Sequence, residues 1–319
     1  MAVSIIILTA VIIFSVGIGS VKIAPTKVFN YLFFNSNLSE TEQMIIDNVR
    51  LPRVVLALIV GMALASSGAL LQAVMQNPLA DPGIIGVSSG ASLGIMTVLL
   101  VMPHYAPVMP LIAFGGGIMA TIIIYLLSWK NGINTIRLIL AGVAVNAILG
   151  GASSLISVLN SEKVQNVILW LNGTLAGRSW KDVYVILPYV AIGLFFSILL
   201  IGRANIILLG DEKATNLGLN IHSSRIYLSL VAAFLAGVAT SSVGVIGFIG
   251  LVVPHISRLI VGTDYRRLLP FSIINGGTFL ILTDTFARTI SSPLELPVGT
   301  IMAVLGGPFF LYLLRRGKK

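Results

Sequence analysis

Apolar runs long enough to cross a bilayer as helices, about 20 residues each, recur along the whole chain with short polar links between them. They predict spans near residues 2–20, 52–75, 84–102, 108–129, 136–159, 183–201, 226–244, 245–261, 268–290 and 298–314. The eighth run is short, follows its neighbour across the Gly-rich bend SVGVIGFIG and contains Pro254. That pattern predicts a broken or re-entrant segment whose backbone is satisfied by neighbouring helices. The expected fold is an all-α polytopic membrane protein of about ten transmembrane helices, with residues 1–319 forming a single domain.

Two polar stretches stand out against this background. The segment GRANIILLGDEKATNLGLNIHSSR, residues 202–225, divides the spans into two trains and offers a handle by which another protein could move them. The link VKIAPTKVFNYLFFNSNLSETEQMIIDNVR after the first span is amphipathic and predicts helices lying on the membrane surface. At its end Arg50 and Arg53, three residues apart, share one helix face at the mouth of the second span. In the ninth span Asp284 and Arg288 stand one turn apart; an ionisable group inside a span is costly unless partnered, so Asp284 is expected in a structural pair, while Arg288 is left open to a functional role.

Composition sharpens this picture. The chain is 56% hydrophobic and 10% charged, whereas soluble domains carry about 25% charged residues, so an ordinary soluble domain is excluded. The lack of cysteine excludes disulfides and thiolate metal sites. The net charge of +9 comes from basic residues bordering the spans, with no basic patch interleaved with aromatics that would point to nucleic acid. The first twenty residues lack a basic n-region, so a retained first span is expected rather than a signal peptide. With both termini in the cytoplasm, eleven basic residues fall inside, among them Arg315, Arg316, Lys318 and Lys319 after the last span, against eight outside. Both termini are therefore expected to be cytoplasmic.

The second span is crowded with small residues, GMALASSGALLQ, and the fifth with AGVAVNAILGGASS. Such stretches let helices approach closely. Of the polar positions among them, Ser66, Ser67, Gln72 and Asn146 are candidates to line a pathway. The order of small residues and then proline in LAGVATSSVGVIGFIGLVVPHISRLIVG loosely echoes LASSGALLQAVMQNPLADPGIIG. The two would run through the membrane in opposite directions, the pattern of an inverted repeat. No phosphate-binding loop of the G-x-x-x-x-G-K-S/T type, no H-E-x-x-H and no carboxylate or histidine cluster occurs. An intramembrane enzyme or a proton-coupled carrier would need such groups inside the bilayer, so the energy for uphill transport must come from another subunit.

Several long motifs in order, RLPR ending at Arg53, GMALASSGALLQAVMQNPLADPGIIGVSSGAS, WLNGTLAGRSW, LGLN, GFIGLVVPHISRLIVGTDYRRLLP and ELPVGTIMAVLGGPFFLYLL, carry a resemblance. The chain resembles the permease subunits of the iron-siderophore and cobalamin ATP-binding-cassette importers. That resemblance implies a multi-pass protein of the bacterial cytoplasmic membrane, with ten spans and both ends inside. Its partners would be a second permease chain, identical or homologous, two ATPase subunits and an extracytoplasmic substrate-binding protein. The chain itself would be non-catalytic and bind no cofactor, ATP and Mg being held by the ATPase. It implies short cytoplasmic coupling helices, with Asp211, Glu212, Ala214 and Gly218 as the matching residues for ATPase contact. Arg50, Arg53 and Arg288 match outward arginines that receive acidic side chains of the binding protein. Ferric siderophores are the cargo favoured, ahead of haem and cobalamin; the alternative is an ion-coupled secondary transporter acting without an ATPase. The chain departs from many members in starting almost directly in its first span, without a basic leading segment.

Overall fold

The computed structural model describes residues 1–19, 21–34, 38–130, 134–292 and 294–316. Lys318 and Lys319 of the basic tail lie outside the described residues. Among those described the chain is α-helical with no β-strand. Every predicted span overlaps a helix, but six helical runs have the length and composition of a crossing: 40–74, 103–128, 135–159, 180–199, 221–243 and 265–289. Four further apolar helical runs, 2–17, 87–101, 249–261 and 298–311, are shorter.

Helix α1 (Ala2–Gly17) leads to α2 (Pro25–Phe34) and α3 (Glu40–Ile45), which occupy the amphipathic link. Phe29, Phe33 and Phe34 on α2 are exposed. The start of α3 is fixed by a capping box in which Ser39 and Glu42 each satisfy the other's backbone N–H. A π-helical turn, Ile46–Arg50, carries α3 without a break into α4 (Leu51–Val74). Then follow α5 (Val87–Met96), α6 (Met109–Ser128), α7 (Thr135–Leu159), α8 (Val164–Leu171) and α9 (Trp180–Leu199). The polar handle folds as α10 (Ile201–Ile207), α11 (Asp211–Asn216) and the first turn of α12 (Ile221–Val243). The chain finishes with α13 (Ile249–Val261), α14 (Tyr265–Thr289) and α15 (Val298–Arg316).

Helix α4 is the axis of the bundle, packed against α14, α12, α13 and α9. Of its apolar window 83% is buried, against 11% for α7, whose Leu140, Val143, Ile148 and Leu155 face outward. Small residues explain why α4 can be central. A Cβ at Gly68 would overlap the Gly250 carbonyl of α13, and one at Gly61 the Gly276 carbonyl of α14. The helices therefore meet backbone to backbone, the approach that small residues permit.

The break expected in the eighth span falls in the Gly-rich bend, and the helix continues through Pro254. Residues 244–248 are non-helical, Phe248 takes a left-handed φ of 67°, and α13 then runs through Pro254. Proline lacks the N–H that would bond the carbonyl four residues earlier. That carbonyl belongs to Gly250, and Gln72 Nε2 on α4 approaches it at 3.4 Å. The neighbouring helix thus takes up part of the hydrogen bonding that the proline gives up.

Gly68→Ala is expected to cost about 1–3 kcal/mol through overpacking, read as a lower thermal midpoint of the detergent-solubilised protein. Gly115→Ala, whose new Cβ meets nothing within 4 Å, should change stability by less than about 0.5 kcal/mol.

Candidate functional site

Polar groups concentrate at the two ends of α4. At its beginning, Arg53 donates from Nε and Nη2 to both oxygens of Asp284 on α14, each at 2.9 Å, and from Nη1 to Glu295 at 2.8 Å. The Arg53 and Asp284 side chains are buried, while that of Glu295 is 44% exposed. Arg50 turns the other way and donates to the carbonyls of Val16 and Gly17, closing the end of α1, where no further helical turn supplies N–H donors, and to the carbonyl of Val21 just beyond. Arg288 reaches the carbonyl and hydroxyl of Ser15, also on α1.

Asp284 does form a structural pair, though not with Arg288 one turn away. A bidentate guanidinium from α4 takes both carboxylate oxygens, a geometry that a neighbour one turn along the same helix does not match. Arg50, Arg53 and Arg288 do share one end of the bundle, but all three are buried and already bonded within the chain. Three cations against two carboxylates leave this rim with an excess positive charge.

At the other end of α4, about 35 Å away at 1.5 Å per residue, lie α10 and α11. Asp211 and Glu212 occupy the first turn of α11, and Ala214 is buried beneath it. The helix ends in a Schellman motif: the Leu219 N–H bonds the Ala214 carbonyl at 3.1 Å and the Gly218 N–H the Thr215 carbonyl at 2.8 Å. Gly218 makes this closure with a φ of +78°, and nothing lies within 4 Å of where a Cβ would stand. Leu209 and Leu217, on either side of α11, are exposed apolar side chains on an otherwise polar segment. The Arg266 backbone N–H, with the Asn205 amide, holds the Asp264 carboxyl beside this segment below the usual carboxylate range.

The candidate pathway residues are occupied otherwise. Ser66 donates to Ser197 at 3.1 Å, Ser67 to the Ala232 carbonyl at 2.6 Å, and Asn146 to the Gly83 carbonyl at 3.0 Å. With Gln72, which reaches Gly250 and Leu251 of α13, they tie α4 and α7 to their neighbours. Ser66, Ser67 and Gln72 are buried. Ser88, Ser89 and Ser92 of α5 with Ser153 of α7 line a notch of about 310 Å³. No group of three or more His, Cys, Asp or Glu suited to a metal ion forms among the described residues.

Two residues of these clusters, Glu295 and Gln76, lie inside the motifs that carry the resemblance but were given no role from sequence; the fold brings them to Arg53 and to Asp211.

A family model described as the FecCD transport family matches residues 7–316. The Fe(3+)-citrate import system permease protein YfmD of Bacillus subtilis is 38% identical over 304 residues, covering 95% of this chain and 90% of that protein. The cobalamin import system permease protein BtuC of Halobacterium salinarum is 43% identical over 277 residues, covering 86% of this chain and 74% of that protein. Among solved structures, an inward-facing conformation of a putative metal-chelate type ABC transporter superposes with a TM-score of 0.87 at 27% identity, covering 98% of this chain and 97% of the other. Matched by the family model from residue 7 to residue 316, and 38% identical to a ferric-citrate permease over 95% of its length, the chain belongs to the FecCD transport family.

Proposed function

We propose that the chain is the permease subunit of an ATP-driven importer for ferric siderophores, with haem and cobalamin as the other cargo classes. The observation that carries this reading is the match over nearly the whole chain to a family whose relatives include permeases for ferric citrate and cobalamin. ATP hydrolysis then belongs to a separate ATPase, and an extracytoplasmic binding protein delivers the cargo. The exposed apolar face of α7 requires cover by hydrocarbon or by a second permease chain, both of which this reading supplies.

The ten-span count, with both termini inside, is part of the proposal. It is supported by the overlap of each predicted span with a helix. An inverted repeat is supported by a shared local form: α4 and α12 are each followed by an irregular link and then by a short helix whose N-cap is left-handed, Gly86 for α5 and Phe248 for α13. On the cytoplasmic side α11, with Asp211, Glu212, Ala214 and Gly218, docks on the ATPase. Support comes from its exposed Leu209 and Leu217 and from the closed turn that makes it a rigid knob. Alternating access follows when movement of that knob shifts the bundle as a body. Cargo passes beside the hydroxyl-lined notch between α5 and α7, because Ser66, Ser67 and Gln72 are occupied in packing.

On the outer side Arg50, Arg53 and Arg288 form the docking rim. Burial leaves one avenue for an acidic side chain of the binding protein, the outward edge of Arg53, where it displaces the half-exposed Glu295. Rim charges of this kind govern orientation and association rate more than affinity.

Reconstitution in liposomes tests the central reading. Uptake of a ferric siderophore should require the ATPase, ATP and the binding protein together, and uptake by the permease alone would support the ion-coupled alternative. Gly218→Val, which forces a branched side chain into a left-handed turn, should leave the protein folded and membrane-inserted but reduce cargo moved per ATP; unchanged uptake would count against α11 as the ATPase contact. Glu295→Gln should lower the binding-protein concentration for half-maximal ATPase stimulation by about 1.5- to 5-fold, the effect of one rim charge. An unchanged concentration at physiological salt would remove Arg53 from the docking surface.

A further inference from the structure

Gln76 stands just past the last residue of α4 and holds a φ of 48°, a left-handed conformation uncommon for a residue with a side chain. Its amide shows what that conformation accomplishes. Nε2 donates to the Ile207 carbonyl at the end of α10, at 2.8 Å, and to Asp211 Oδ1 at the start of α11, at 3.1 Å. The same Asp211 oxygen accepts from Nη2 of Arg225 at 3.0 Å, and Arg225 is a buried residue in the first turns of α12. One carboxylate oxygen thus joins the ends of α4, α11 and α12.

A second tie lies alongside. Asn205 on α10 donates to Asp264 at 2.7 Å and accepts from the Tyr265 N–H at 2.8 Å, while the Tyr265 hydroxyl donates to the Ala69 carbonyl of α4 at 2.6 Å. The second tie passes through the beginning of α14. Gln76 alone among these residues links α4 to α11 directly.

We propose that Gln76 is a positioning residue, a latch that makes displacement of α11 into displacement of α4. The proposal rests on the reading of α11 as the ATPase contact. Helix α12 follows α11 through the chain itself, across residues 217–220, and needs no latch. Helix α4 has no such covalent link, and it is the element packed against α14, α13, α12 and α9. Without the latch, movement of α11 would reach α4 only indirectly, through the packing of α12 and α10 against it, and less of it would arrive at the end of α4 that carries Arg53. Hydrolysis would proceed, with fewer productive openings for each ATP.

The test uses the complete complex, permease with ATPase and binding protein, in liposomes, and reads siderophore transported per ATP hydrolysed. Gln76→Glu has the same length, lacks the amide donors and sets a second carboxylate against Asp211. It should lower the transport-to-hydrolysis ratio about fivefold to tenfold, the scale of one or two lost hydrogen bonds, with stimulated hydrolysis retained. Gln76→Lys keeps a donor in reach of both oxygens and should preserve most of the ratio. Gln76→Gly removes the side chain while easing the left-handed backbone. It should lower the ratio as Glu does without lowering the thermal midpoint, whereas a normal ratio in the Gly variant would overturn the latch.

Because the chain has no cysteine, Asn216→Cys with a thiol-anchored photocrosslinker reports whether α11 lies against the ATPase. An adduct with the ATPase together with normal coupling in both Gln76→Glu and Gln76→Gly overturns the latch and leaves the α11 contact standing. Absence of any adduct with the ATPase overturns both.

Discussion

Backbone contact along α4 is the constraint on which the rest depends. Gly68 lies against the Gly250 carbonyl and Gly61 against that of Gly276, so α13 and α14 approach nearer than any side chain would allow. Between apolar helices in an apolar solvent there is no hydrophobic gain in association, and close van der Waals packing with occasional hydrogen bonds has to supply it. Ser66, Ser67 and Gln72 act in the same way, each carrying a polar atom from α4 to a neighbouring helix. A helix held on several sides by its backbone behaves as a rigid rod, and both polar clusters are attached to that rod.

Helix positions were legible because each apolar run is long and each link is short. The small-residue stretch around Ser66 was legible as packing for the same chemical reason that makes it pack. What pattern reading could not supply was partnership across long sequence separation. Arg53 and Asp284 are 231 positions apart, and the nearer candidate for Asp284, Arg288, was a reasonable partner by helical spacing alone. The choice between them depends on which helix α4 crosses, and no local signal records that. The break before α13 was legible from the Gly-rich bend, and the chain bends there, at residues 244–248. What the pattern did not show is that the helix runs on through Pro254, because Gln72 stands opposite the carbonyl the proline leaves.

The candidate site was legible in kind rather than in geometry. A polar segment amid spans pointed to a handle, and the segment does fold as short helices with exposed Leu209 and Leu217. Its fastening to the bundle was hidden, because a glutamine in a turn has no distinctive pattern and its role appears only when Ile207 and Asp211 are brought to it. Likewise three arginines near helix ends suggested an outward-facing rim, whereas two of them close the end of α1 and the third joins α4 to α14.

That last arrangement explains how so much charge can be buried at one end of an apolar bundle. Removing one member of a buried ion pair typically costs about 3–5 kcal/mol, because the remaining charge is left without its partner. Arg53 avoids that state by dividing its donors between two acids of unlike exposure. Asp284, buried, holds the guanidinium in place through two of its nitrogens, and Glu295, near the surface, occupies the third. Exchange of the outer acid for one of a partner protein would leave the inner pair intact throughout. Arg53 would therefore keep a carboxylate partner whichever acid stands outside it, whereas Arg50 and Arg288 rest on carbonyl and hydroxyl oxygens alone.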